Sequence, residues 1–104
     1  MTFNYINLSG TGVEILSAAT SDGRTKKLER LLITNTDTTA ITVSLYLDDS
    51  SDQYYILKLA ESDSGFTLDV LDGTPLVYDD TFILKVTLGD AAYVADIIMN
   101  EITN

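Results

Sequence analysis

The run Asp48-Asp49-Ser50-Ser51-Asp52 is where this sequence comes nearest to chemistry. Carboxylates and hydroxyls at that spacing suit Ca²⁺, a hard cation that takes oxygen ligands. The run lacks the glycine and the closing glutamate of a helical calcium loop, so two readings stay open: a solvated acidic turn, or a weak cation site. Asp79-Asp80 carries the same pair of readings. Ser21 and Lys26 are the residue types of a Ser-Lys hydrolase, but both fall in a turn and no glycine elbow flanks them. Acids in number also permit the two-carboxylate chemistry of a glycosidase. They lie in turns, however, away from any aromatic cluster that would line a sugar groove. Gly10 and Gly12 form a flexible joint, with none of the strand-to-helix context that cradles phosphate. Histidine and cysteine are absent, which removes the usual hydrolase triads and dyads, thiolate metal sites and disulfides. The expectation is a protein that is not an enzyme, with no catalytic residue, no metal site and no cofactor.

The elements that would carry these loops are strands. Ile41, Val43, Leu45 and Leu47 alternate with Thr42, Ser44, Tyr46 and Asp48, the period of a strand with one buried face. Leu28 to Thr34 is more continuously apolar and predicts a strand covered on both sides. Joined through Asn35-Thr36-Asp37-Thr38-Thr39, the two runs predict a long antiparallel hairpin over Lys27 to Asp49. Asp22-Gly23, Asp72-Gly73 and Gly89-Asp90 are further turn signals. Phe82, Leu84, Val86 and Leu88 alternate in the same way as the central run. Val94, Ile98 and Ile102 would align on a helix, but β-branched content and the preceding Gly-Asp favour a strand. The whole predicts an all-β fold: a single antiparallel β-sandwich, jelly-roll-like, of about eight strands. One core is expected from Ile41, Val43, Leu45, Leu47, Phe82, Leu84 and Val86.

At 104 residues the chain is one domain. Residues 13–104 are expected to form the sandwich and residues 1–12 a first strand, or an extended arm on a flexible joint. Phe3, Tyr5, Ile6 and Leu8 are too apolar for a free tail. The segment is therefore expected to become ordered by pairing with a neighbouring subunit, which makes these four residues candidate interface anchors. Tyr46, on the polar side of its strand, is a fifth. A net charge of -10 repels phosphate backbones and anionic lipid, so neither nucleic acid nor membrane is expected as a partner. MTFNYINLSG has neither a basic start nor a small-residue cleavage site, so the chain is expected to work without export.

From Arg30 to Thr103 the sequence resembles a group of small all-β virion proteins of tailed bacteriophages. The likeness lies in RLLITNTDTTAITVSLYLDD, QYYILKL, GFTLDV and the closing NEIT, while Met1 to Asp22 stands outside it. The resemblance implies a structural protein of the virion, assembled in the host cytoplasm. It implies a capsid decoration or cement protein that binds the outer capsid surface and stabilises the shell, with the major capsid protein as partner. A homo-oligomer, most simply a trimer, would suit threefold lattice positions. Alternatives are a neck or tail component, or a carbohydrate- or ion-dependent adhesion module using the acidic loops.

Overall fold

The structure, a computed structural model, describes residues 2–103, so Met1 and Asn104, the ends of the expected domain bounds, lie outside the described residues. Nine strands follow one another: β1 (Thr2–Ser9), β2 (Glu14–Ser17), β3 (Thr25–Asn35), β4 (Ile41–Asp48), β5 (Gln53–Ser62), β6 (Thr67–Asp69), β7 (Leu76–Asp79), β8 (Ile83–Leu88) and β9 (Val94–Thr103). Among the described residues there is no helix, and so none long and apolar enough to cross a membrane. One sheet has the order β1-β9-β3-β6, with β7 also paired to β3; the other has the order β2-β8-β4-β5. Every pairing is antiparallel, and the two sheets close as a sandwich.

The alternation read in the sequence places the core. Ile41, Val43, Leu45 and Leu47 of β4 and Leu84, Val86 and Leu88 of β8 face Leu28, Leu31 and Ile33 of β3 and Ala95, Ile97 and Met99 of β9, all buried. Phe82 departs from the expected set. It precedes β8 in a turn, where its N–H bonds Asp79 O at 3.2 Å, and it packs against the core's margin with its ring edge-on to Tyr54. The C-terminal run is the expected strand.

The expected hairpin over Lys27 to Asp49 is not formed: β3 and β4 belong to different sheets. The turn between them is a corner across the sandwich, and Asn35 fixes it. This buried amide donates to Thr39 O and Ser62 O, each at 2.9 Å, and its Oδ1 accepts from Asp37 N at 2.8 Å. Its backbone N–H and C=O bond Phe66 O and Gly65 N. The Ser21–Gly23 turn, with positive φ at Ser21 and Gly23, and the Gly89–Tyr93 turn are also corners between sheets. Only β4 and β5, among the described residues, are consecutive strands paired as a hairpin, through Asp49–Asp52. Nor is β3 covered on both sides: Arg30, Leu32 and Thr34 look outward beyond a bulge at Glu29.

Thr2–Ser9 does not depend on a neighbouring subunit for its pairing. It aligns with β9 of its own chain in eight uninterrupted register pairs, from Thr2↔Glu101 to Ser9↔Val94.

Candidate interaction site

The acidic loop after β4 uses its carboxylates on itself. Asp48 Oδ1 accepts from Ser50 N at 2.8 Å, and Asp49 Oδ1 accepts from Ser51 N at 2.9 Å and Asp52 N at 2.7 Å. Asp48 Oδ2 meets Lys85 Nζ at 2.7 Å. The Lys85 bond, then the Ser50 N–H, hold the Asp48 carboxyl below its ordinary range, and the same contact raises the Lys85 ammonium. The N–H groups of Asp52 and Ser51 lower Asp49. Among the described residues no three acids converge as a metal-ligand cluster. The arrangement is that of Asx turns.

Asp80 likewise serves the chain's own backbone. Its fully buried carboxylate accepts from Thr20 Oγ1 at 3.0 Å, Asp22 N at 2.9 Å and Arg24 N at 3.1 Å, which pins the β2–β3 corner to the β7–β8 turn. Burial opposes its ionisation; the N–H groups of Arg24 and Asp22, the Thr20 hydroxyl and the nearby Lys26 charge outweigh this and leave the carboxyl lowered.

Lys26 meets a serine, though not Ser21. Its buried ammonium donates to Ser17 Oγ at 2.9 Å and to Ala18 O. Ser17 Oγ donates in turn to Glu101 Oε1 at 2.7 Å, while the Tyr78 hydroxyl donates to the other Glu101 oxygen. Burial, and then the Glu101 carboxylate, drive the Tyr78 phenol pKa well up. A serine placed between an ammonium and a carboxylate has its proton and a lone pair already engaged. The relay joins β2, β3, β7 and β9 where the sheets meet. The spacing of Ser21 and Lys26 gave no sign of it, because the partner serine comes from β2.

Two surfaces remain. The first is the outer face of the sheet containing β1. Phe3 (55 % exposed) and Tyr5 (73 %) stand beside Ile98 (46 %), with Leu32 next across β9. Phe3, Arg30, Leu32, Ile98 and Asn100 line a shallow depression of about 480 Å³ there. Of the five expected anchors this face brings together Phe3 and Tyr5. Ile6 and Leu8 point the other way, Leu8 into the core and Ile6 half-buried against it. Tyr46 is not exposed at all, at 5 %, because Tyr55 on β5 lies over it at 5.3 Å between ring centroids and Lys85 flanks it on β8.

The second surface is the end of the sandwich formed by the corners after β3, β5 and β8. Glu61 and Asp63 are exposed there, with Asp37 in the adjoining corner, which is tied to theirs by Ser64 Oγ donating to Asp37 O at 2.6 Å. Glu61, Tyr93, Ala40, Ile41 and Thr42 line a depression of about 190 Å³. A carboxylate beside a phenol ring in a pocket of that size suits an ammonium or guanidinium side chain. Few cations of the chain itself are free to compete. Of the six, Lys26 is buried, Lys27 and Arg30 sit 3.3 and 3.5 Å from Glu29 and Asp69, and Lys85 is bound to Asp48.

No family model matches the chain, and neither does any curated protein. Among solved structures, the core of the Drosophila protein NLP matches with a TM-score of 0.54, covering 96 % of this chain and 97 % of that one at 11 % identity. The likeness is one of fold. That structure is described in terms of pentamer formation and histone binding. The match corrects the virion reading: over nearly the whole chain the fold is shared with this Drosophila core, which points away from a capsid decoration role, and nothing supports a phage one. A capsid decoration role, a major capsid protein partner and a trimer on a shell lattice are accordingly set aside.

Proposed function

We propose that this chain is a non-enzymatic acidic binding module whose ligand is a cationic protein segment. The observation that carries the reading is the electrostatic one. A net charge of -10 is displayed on a sandwich most of whose cations are already paired or buried, with Glu61 beside Tyr93 at one end and Asp63 exposed two residues on. Complementary charge speeds encounter and selects partners, and it weakens with salt. The histone binding described for the structurally similar Drosophila core supports the same class of ligand.

The test is fluorescence anisotropy with a labelled Lys/Arg-rich peptide across a salt series. Binding is expected at low ionic strength and should fall steeply as salt rises. Glu61→Gln with Asp63→Asn should weaken it about fivefold or more, whereas Asp52→Asn at the opposite end should change it little. No binding at low salt, or binding indifferent to salt and to the Glu61/Asp63 pair, would overturn the reading.

A further inference from the structure

The four other edge strands are each disabled for pairing with a further strand, and β1 is not. Sheet edges expose unpaired N–H and C=O groups, and proteins blunt them with charge, proline, bulges or short length. β2 is short, carries Glu14 and is broken between Ile15 and Ser17; β5 carries two irregularities and a left-handed Leu59. β6 spans three residues and β7 four, the latter preceded by Pro75. β1 runs eight residues, TFNYINLS, with no charge, no proline and no break in register.

Every second residue of β1 turns its backbone groups away from β9. Gly10 N donates to Tyr93 O at 3.0 Å, continuing the ladder one pair beyond Ser9↔Val94. In an antiparallel ladder the residues whose N–H and C=O face the partner recur every second position. Leu8, Ile6 and Asn4 therefore face β9. Phe3, Tyr5, Asn7 and Ser9 turn their backbone groups to the outer side, where no strand lies among the described residues.

We propose that this edge is a docking site for β1 of a second copy of the chain, paired antiparallel about a twofold axis at Tyr5. In that register Tyr5 meets Tyr5 of the second copy and Phe3 meets Asn7, so outward-facing backbone groups meet only their like. The apolar stretch of Phe3, Tyr5, Ile98 and Leu32 then runs on across the junction, with an aromatic cross-strand pair at its centre. Charge selects this occupant. A cationic strand would meet no carboxylate on β1 and would lie near Arg30, while an anionic strand would meet the field of a -10 molecule. The uncharged strand that suits the edge is the one the chain itself carries. Edge pairing buries less than the roughly 800 Å² per partner of a standard stable interface. The dimer is therefore reversible, and like charge on the two copies makes it tighten as salt rises. That sign is opposite to the one expected for binding a cationic ligand, so the failure of either reading is distinguishable from the failure of the other.

Sedimentation of the intact chain over a concentration series, at low and high salt, tests this together with two variants. Wild type should pass from monomer to dimer, with the dimer favoured at high salt. Tyr5→Lys, at a highly exposed position that leaves the core untouched, should raise the dissociation constant at least tenfold with an unchanged circular dichroism spectrum. The chain has no cysteine, so Tyr5→Cys gives a clean second readout. Directly opposed residues in a hydrogen-bonded antiparallel pair lie about 5.5 Å apart between Cα atoms, within disulfide range. Mild oxidation should cross-link that variant and leave Ser51→Cys without an intersubunit disulfide. A chain monomeric at all concentrations, a dimer indifferent to Tyr5→Lys, or cross-linking at Ser51→Cys equal to that at Tyr5→Cys would overturn the proposal.

Discussion

Gly89 stands where two corners nearly touch. Its N–H bonds Thr42 O at 3.0 Å, and a Cβ added there would lie 2.0 Å from Thr42 Oγ1 and 3.3 Å from Thr42 Cβ. Gly89→Ala should therefore destabilise by about 1–3 kcal/mol, as overpacking does. Thr42→Ala in the same chain should recover part of that loss, since it removes the closer atom; urea midpoints of the two singles and the double measure it. Asp80 makes a different demand at the same scale. Its folded pKa is lowered from 3.8. The stability it contributes is therefore fully present above that unfolded value and is lost as pH falls through the folded one. Urea midpoints taken from neutral pH down to pH ~3 should fall, with Asp48 and Asp49 contributing in the same direction. Asp80→Asn should be less stable at neutral pH and lose less on acidification.

At the scale of the strand, β5 shows backbone strain at a solvent-facing position. Leu59 adopts φ 49° and is 60 % exposed, and its N–H is satisfied by Ser44 Oγ at 3.0 Å, not by the ladder. A left-handed non-glycine residue costs about 1–2 kcal/mol. Leu59→Gly should accordingly be neutral or raise stability by up to ~1 kcal/mol. Ser44→Ala, which orphans the N–H, should lower it by about 1–3 kcal/mol; thermal melts should show a lowered midpoint for Ser44→Ala and an unchanged or raised one for Leu59→Gly. These bulges also mark how far the sequence was legible. Alternation in Ile41–Leu47 and Leu84–Leu88 identified the buried face of each strand, because side chains alternate whatever the partner. It could not identify the partner. The turn chemistry of Asn35–Thr39 and Gly89-Asp90 serves a corner between sheets as well as a hairpin within one. Tyr46 was misread for a related reason: its cover comes from Tyr55 and Lys85 on flanking strands, and no local pattern encodes that. Phe3, Tyr5, Ile6 and Leu8 read alike as apolar anchors, and it takes the pairing of β1 with β9 to put the first two on the outer face and the last two against the core.

At the scale of the whole molecule, the relay from Lys26 through Ser17 to Glu101 and Tyr78 fastens the two sheets at one end. Removing either end leaves the buried groups of the relay short of a partner, so Lys26→Met or Glu101→Leu alone should cost ~3–5 kcal/mol. The double replacement should cost clearly less than the sum, and a denaturation cycle over the four proteins reads the coupling directly. The strand order has a further consequence, for synthesis. In the first sheet β9 lies between β1 and β3, so β1 finds its neighbour only after β9 has emerged from the ribosome. In the second sheet β2 waits for β8, and among the described residues the β4–β5 hairpin is the one pairing of consecutive strands, so it can form first. Long loops must close before most contacts form, which slows folding and leaves apolar strands uncovered meanwhile. Ribosome-held chains stopped before Val94 should thus stay open to protease along β1, whose one partner among the described residues is β9, and resistance there should arrive in a single step once β9 clears the exit tunnel.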